Sequence, residues 1–144
     1  EPLAAFEAKL TASPETAWCV DHPKVAGALL AYLFALPVAG WSWPSLHGTV
    51  CPPATHADGL YLHDLSLHPD GRGQGLGQRL VAEVEALAQR RGWRVLRLIA
   101  VQGSVPYWQR HGFVEVDDAT LRAAGADAAS FGEQARVMVK TVGA

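Results

Sequence analysis

Four glycines stand at alternate positions between a strand-like segment and a helix-like segment. The strand-like segment 60–68 ends before Pro69, and the glycines follow at 71, 73, 75 and 77. Glycine adopts positive φ and allows close approach to the backbone, so successive N–H groups can converge on one point. The helix that begins near Gly77 would add unpaired N–H groups and the positive end of its dipole. The spacing therefore predicts a cradle for a phosphate group.

Two common phosphate motifs do not fit this loop. In the dinucleotide pattern G-x-G-x-x-G, the third glycine would fall at Leu76 or Gln78. A P-loop needs Lys followed by Ser or Thr after its glycines, and no such pair follows here. The pattern that remains is Arg72-x-x-Gly75-x-Gly77.

The strand before the glycines changes phase near its middle. Leu60 and Leu62 alternate as one face of a strand should, but the next leucines fall at 65 and 67. A β-bulge near His63 and Asp64 would restore the alternation.

A phosphate loop of this pattern, directly after a bulged strand and at the start of a helix, resembles the acetyl-CoA pyrophosphate loop of the GNAT superfamily of N-acetyltransferases. The downstream sequence Tyr-Trp-Gln-Arg-His-Gly-Phe at 107–113 strengthens the resemblance. Segments 62–68 and 104–113 are also similar to the arylalkylamine N-acetyltransferases, which place a histidine where His63 stands. An aromatic amine is therefore one candidate acceptor, but the similarity is confined to these segments and does not carry the substrate across.

The resemblance implies a fold and a binding mode. We expect residues 1–144 to form a single GNAT-like α/β domain, with a mixed, largely antiparallel central sheet flanked by helices and a splay between two central parallel strands. The pantetheine arm of acetyl-CoA would enter the splay and pair with the central strand. The implied cofactor contacts come from three stretches: Leu65, Ser66 and Leu67; Arg72, Gly73, Gln74, Gly75, Leu76 and Gly77; and Trp108.

Hydrophobic periodicity predicts elements that match this order. We expect a strand over 16–21, a turn at 22–24, an antiparallel return from Val25 and a long loop over 37–58. The helix after the glycines should bury Leu76, Leu80, Val84, Leu87 and Ala88, turn Gln78, Glu85 and Gln89 outward, and end at a left-handed Gly92. We further expect a first helix over 3–10, a strand and a helix upstream of Glu1, strands over 95–101, 113–116 and 135–140, and helices over 104–112 and from Asp117 or Asp118 towards Gly125.

Acetyl transfer to an amine requires removal of a proton. An amine with a pKa near 10 is only about 0.1% neutral at pH 7, which costs roughly 4 kcal/mol. His63 is the first candidate base, because an imidazole with a pKa near 6.5 accepts a proton at neutral pH. Asp64 is the second, since the resembling family often uses a carboxylate on this strand. The alternative is that His63 faces solvent and Asp64 only anchors the bulge.

The departing thiolate also needs a proton. Many members of the resembling family place a tyrosine four residues before the Gly-Phe pair, and Trp108 stands there. An indole N–H cannot act as an acid. Either Tyr107 takes the role, although a helix turns by about 100° per residue, or water protonates a thiolate with a pKa near 8.5. Tyr107 could equally be a core aromatic.

Two further features of the reaction follow from the same residues. The N–H of Leu65 at the bulge would stabilise the oxyanion. Direct attack in a ternary complex is expected, because no cysteine falls in the motifs to carry an acyl group.

The acceptor pocket should lie beside the loop over 37–58. Trp41 and Trp43 could stack on the acceptor, or they could only hold the loop against the body of the protein. The same loop offers His47, Cys51 and His56, which lack a fourth ligand and regular spacing, so no metal site is predicted.

The composition excludes several classes of partner. The 144 residues are 49% hydrophobic and 18% charged, typical of a soluble globular protein. With 12 basic and 14 acidic residues and no basic run, neither nucleic acid nor an anionic membrane is an expected partner. We expect a cytoplasmic protein, and a homodimer is an option that the resemblance leaves open. The rival functions are a non-catalytic acyl-CoA-binding regulatory domain and a plain interaction module.

Overall fold

The computed structural model describes residues 14–41, 56–101, 103–124 and 135–143. Two short 3-10 turns, Pro14–Thr16 and Pro69–Gly71, accompany the regular elements. In chain order these elements are β1 (Ala17–Asp21), β2 (Leu29–Val38), β3 (Gly59–Leu67), α1 (Leu76–Arg91), β4 (Val95–Ala100), α2 (Val105–Arg110), β5 (Val114–Glu115), α3 (Asp118–Ala124) and β6 (Arg136–Thr141).

The six strands form one mixed sheet in the order β1-β2-β3-β4-β6-β5. All neighbouring strands are antiparallel except β3 and β4, which are parallel. The connection between this parallel pair contains α1, as a parallel crossover requires. The predicted fold class, a largely antiparallel α/β sheet with two central parallel strands, is confirmed.

Helix α1 covers one face of the sheet. Its buried side chains pack against β2, β3 and β4 in a single apolar cluster. The helix ends at Gly92, whose φ of 72° is left-handed, as predicted. The side chains that α1 contributes to this cluster are Leu76, Leu80, Val81, Val84, Leu87 and Ala88.

The prediction for Glu85 was wrong. Instead of facing outward, its side chain is half-buried and pairs with the Nζ of Lys140 on β6. The same Nζ donates to the carbonyl of His111, 2.8 Å away, at the end of α2. This ion pair therefore joins α1, β6 and α2.

The return strand begins later than predicted. Residues 25–28 form a turn rather than the start of β2, because the Nδ1 of His22 accepts the N–H groups of Lys24 and Val25. At its other end, β2 runs through Pro37 to Val38, so the predicted loop starts later as well. The pairing of β1 with β2 extends to Phe34, and Pro37 lies beyond it, paired only with β3. A residue without an N–H is tolerated at such an edge.

The remaining elements agree with the predictions where the structure describes them. Asp117 rather than Asp118 caps α3, accepting from the N–H of Thr120 at 2.7 Å. The predicted first helix over 3–10 and residues 42–55 of the predicted loop lie outside the described residues. Across the residues that are described, no helix is both long enough and apolar enough to cross a membrane.

A buried cation on β4 connects residues 40, 41 and 58 to the sheet. Arg97 on β4 is only 6% exposed. Its two terminal nitrogens donate to the carboxylate of Asp58 at 2.8 and 3.0 Å, and its guanidinium lies 5.2 Å from the ring centre of Trp41. Asp58 also accepts from the N–H of Gly40 at 3.1 Å. The end of β2 and the start of β3 are therefore joined at one point on the sheet.

We expect Asp58→Asn to lower the free energy of unfolding by about 1–2 kcal/mol at neutral pH, because it leaves the buried guanidinium without a negative partner. The hydrogen bond from Arg97 lowers the pKa of the Asp58 carboxyl below the ordinary value for an aspartate. A lowered folded-state pKa contributes stability above the unfolded pKa, and this stability is lost as pH falls through the folded value.

Urea unfolding at neutral pH and near pH 3 measures this effect, and the difference between wild type and Asp58→Asn should shrink at the lower pH. Asp21→Asn, at an exposed position on β1, serves as the control. An equal loss for Asp58→Asn at both pH values would contradict the assignment.

Candidate active site

The pairing between the two central parallel strands, β3 and β4, ends near the middle of β3. The parallel register pairs Gly59 through Leu62 with Val95 through Leu98. Strand β3 continues to Leu67 alongside β2. The predicted splay therefore opens beyond the pair Leu62–Leu98.

The predicted β-bulge lies at the start of this splay. Consecutive residues of β2, Phe34 and Ala35, face Asp64 and Leu62, so His63 is the extra residue on β3. A bulge bends and twists its strand. Here it coincides with the point where the pairing with β4 ends.

A cavity of about 400 Å³ fills the space between the parted strands, and we call it the splay cavity. Its walls combine aliphatic and aromatic side chains with charged and polar ones, so that the cavity can hold a ligand that is apolar in one part and polar in another. Its lining comes from β3, the end of β4, the glycine loop and α2: Leu62, His63, Asp64, Leu65, Leu67, Leu98, Ile99, Val101, Arg72, Ser104, Tyr107 and Trp108.

The two candidate bases lie side by side in this wall. The Nδ1 of His63 is buried, and its ring packs 6.3 Å from Phe34 and 5.8 Å from Tyr61. Asp64 accepts a 2.7 Å hydrogen bond from the hydroxyl of Tyr32 on β2. The imidazole is therefore half-buried in the cavity wall, and the carboxylate is held in place from the neighbouring strand.

The glycine loop, residues 71–77, connects β3 to α1. Gly73 and Gly75 have φ of 77° and 69°, which favours glycine, and Gly75 immediately precedes the helix. Residues 72–75 are exposed. The loop thus presents backbone at the N-terminus of a 16-residue helix, where the first N–H groups lack helical partners.

Other predicted cofactor residues differ in how their side chains are placed. The side chain of Ser66 is exposed and does not line the splay cavity, whereas Leu65 and Leu67 do. Leu76 is buried in the core, so only its backbone is available to a ligand. The Nε2 of Gln74 donates to the carbonyl of Asp70 at 2.8 Å.

Both aromatic residues of α2 reach the splay cavity. The ring of Tyr107 lies 5.1 Å from that of Trp108 and 4.8 Å from that of His111. A Cβ added to Gly77 would lie 2.3 Å from the Tyr107 hydroxyl oxygen, so the absence of a side chain there admits this hydroxyl to the start of α1. Burial raises the pKa of Tyr107 above 10.0, which keeps the phenol protonated at neutral pH.

Some residues around the cavity were missed by sequence reasoning. Ile99 and Val101 follow Leu98, the last residue of β4 that pairs with β3, so the predicted splay already contained the signal for them. His111 packs behind Tyr107, and burial lowers its pKa below 6.5, so it is neutral near pH 7. Nothing in the sequence pairs Tyr32 with Asp64, because the contact spans two strands.

Of the two predicted acceptor-binding tryptophans, only Trp41 is among the described residues, and it is not part of the splay-cavity lining. Trp41 stacks with Arg97, and Trp43 lies outside the described residues. Their role towards an acceptor stays a prediction.

We expect Gly77→Ala alone to destabilise the protein by about 1–3 kcal/mol, because the new Cβ must displace the Tyr107 hydroxyl. In a Tyr107→Phe background the next Tyr107 atom is 3.6 Å away, an ordinary contact. There the same change should stabilise by about 0.5–1 kcal/mol through helix propensity. Chemical denaturation of wild type, the two single variants and the double variant measures both effects. If the changes in unfolding free energy of the two single variants add up to that of the double variant, the contact is contradicted.

Comparisons with known proteins place this geometry in a family. The family model described as "Acetyltransferase (GNAT) family" matches residues 2–113. No curated protein matches the chain at the sequence level.

Solved structures of low sequence identity share the fold. Ard1 from Thermoplasma volcanium is 13% identical with a TM-score of 0.65, and the match covers 100% of this chain and 82% of that one. A chain of the NatC complex bound to Gag peptide and CoA is 14% identical with a TM-score of 0.66, covering 99% and 81%. Nourseothricin acetyltransferase is 23% identical with a TM-score of 0.54, covering 81% of this chain and 60% of that one.

The family match spans well over half of the sequence. It includes β3, the glycine loop, α1 and α2, the elements that build the splay cavity. The chain therefore belongs to the acetyltransferase (GNAT) family of acyltransferases.

Proposed function

We propose that this protein is an N-acetyltransferase that moves an acetyl group from acetyl-CoA to a primary amine of a small molecule or a peptide. We further propose that residues 1–144 act as one domain in the cytoplasm. The observation that carries the proposal is the splay cavity, which adjoins the glycine loop and has His63 and Asp64 in its wall. The structure of NatC, a fold relative solved with CoA bound, supports a CoA thioester as donor.

The residues present fit the two ends of such a donor. The exposed backbone of Gly73 and Gly75, with the N-terminus of α1, suits a diphosphate, and Arg72 supplies a positive charge at the cavity wall. The strand edge at Leu65–Leu67 and the ring of Trp108 would accompany the pantetheine arm. Ser66 and Leu76 would contribute through their backbones, and Gln74 through its backbone or after release from Asp70.

The reaction would proceed by direct attack. The amine nitrogen bonds to the thioester carbonyl carbon, a base takes the amine proton, and the carbon–sulfur bond then breaks. His63 is the proposed base because its ring stands in the cavity wall at the bulge. Asp64 is the second candidate, and its bond from Tyr32 suits it equally to orient an acceptor ammonium. The N–H of Leu65 is proposed to stabilise the oxyanion.

Tyr107 is the proposed proton donor to the departing thiolate. Its raised pKa keeps the proton available, and its side chain lines the cavity together with Trp108, which cannot act as an acid. The other candidate acid is water, because the departing thiolate has a pKa near 8.5.

Thiol release from acetyl-CoA over a panel of arylalkylamines, aliphatic amines and short peptides tests the proposal. With the best acceptor, His63→Ala should lower kcat by about 10²–10⁴-fold near pH 7, as expected for loss of a general base. The defect should narrow as pH approaches the acceptor pKa of about 10, where the amine loses its proton unaided. Asp64→Ala is compared in the same assay.

Gln89→Ala, at an exposed position near the end of α1 and outside the cavity lining, is the control and should retain wild-type activity. Thermal stabilisation by CoA without thiol release for any amine would contradict the catalytic proposal and favour an acyl-CoA-binding regulatory domain. An unchanged kcat in His63→Ala would transfer the role of base to Asp64 or to water.

A further inference from the structure

His22 is nearly buried although it lies in the turn between β1 and β2, outside the splay cavity. Only 5% of its side chain is exposed. Its Nε2 lies 2.9 Å from a carboxylate oxygen of Asp70, and its ring packs edge-on at 5.3 Å against His68. Asp70 and His68 stand at the entrance of the glycine loop, so this cluster joins the loop to a separate hairpin.

The direction of the His22–Asp70 hydrogen bond follows from the turn itself. The Nδ1 of His22 accepts from the N–H groups of Lys24 and Val25 at 3.1 and 3.2 Å. A ring nitrogen that accepts carries no proton, so a neutral imidazole must carry its proton on Nε2. Nε2 therefore donates to Asp70, and this hydrogen bond lowers the pKa of the Asp70 carboxyl.

The backbone of Asp70 connects the His22–Asp70 hydrogen bond to the glycine loop. Its N–H donates to the Nδ1 of His68 at 3.0 Å, and its carbonyl accepts from the side chain of Gln74 at 2.8 Å. The next residue, Gly71, packs so closely on β2 that a Cβ there would lie 3.1 Å from the carbonyl of Leu30. Residues 70 and 71, which immediately precede the exposed residues 72–75, are therefore held in place.

The side chains of His22, His68 and Asp70 could suggest a metal site, since their ligand atoms all lie within 4.8 Å of one another. A histidine that binds a metal normally donates its other ring N–H to an acceptor. In His22 that other nitrogen, Nδ1, accepts two N–H groups instead. The Nδ1 of His68 is likewise directed at the N–H of Asp70. The hydrogen bonds favour a direct contact between protein groups.

We propose that His22 is a positioning residue for the donor-binding loop: by holding Asp70, it keeps the glycine loop in the conformation that receives the diphosphate of CoA. This inference rests on the proposed function. A loop ordered before binding has less conformational freedom to lose, which strengthens binding without new contacts. The effect should appear in donor affinity and not in the chemical step.

His22→Asn tests the proposal. The shorter amide oxygen can still accept from the turn N–H groups, as in an Asx turn, but its side chain cannot reach Asp70. We expect KM for acetyl-CoA, and the calorimetric dissociation constant for CoA, to rise about 5- to 20-fold with kcat within about twofold. With S-acetyl-pantetheine, which lacks the diphosphate, kcat/KM should equal that of wild type.

Asp70→Ala should give the same pattern, and the double variant should be no worse than either single one. Lys24→Ala, in the same turn, is the control and should match wild type. An equal loss with both donors, or no loss in either variant, would overturn the proposal. Binding of Zn²⁺ at micromolar concentration or below that disappears in His22→Asn would overturn it in favour of a metal site. A wild-type protein that neither binds CoA nor transfers acetyl would overturn the proposed function itself.

Discussion

The structure depends on the different lengths over which β2 and β4 pair with the central strand β3. Strand β2 follows β3 to Leu67, whereas the parallel pairing with β4 ends at Leu62 and Leu98. Backbone groups in a protein interior need hydrogen-bond partners. A strand edge from which the neighbouring strand has departed suits an extended ligand that supplies such partners. The bulge at His63 lies where the pairing of β3 with β4 ends while its pairing with β2 continues. It adds a polar side chain to the wall of the splay cavity.

Contacts outside the splay cavity hold together the strands, helices and loop that form it. At the paired end, Arg97 on β4 binds Asp58, the residue before β3, so both strands share one ionic contact. On the opposite wall, Lys140 connects Glu85 of α1 to the carbonyl of His111 at the end of α2. This contact supports the helix that carries Tyr107 and Trp108. The glycine loop is held from a third side by His22 through Asp70.

Local rules predicted the parts of this site that depend on neighbouring residues. The leucine spacing located the bulge, and the alternate glycines located the loop, whose backbone has positive φ at Gly73 and Gly75. The errors came from contacts that local pattern does not contain. His22 caps its own turn and delays β2, and Glu85 meets Lys140 from a distant strand. The bond from Tyr32 to Asp64, and the contact of Tyr107 with Gly77, depend on the assembled sheet and on helix packing.

The most direct test of donor binding at the glycine loop is calorimetric titration of CoA into wild type, Gly75→Ala and Gly92→Ala. Both glycines have left-handed φ, 69° and 72°, with open space at the Cβ position, so the two substitutions impose similar backbone strain of about 1–2 kcal/mol. Gly75 precedes α1 in the glycine loop, whereas Gly92 ends that helix on the far side. We expect micromolar binding to wild type and to Gly92→Ala, and binding about tenfold weaker or lost in Gly75→Ala. No binding to wild type, or equal weakening in both variants, would contradict this expectation.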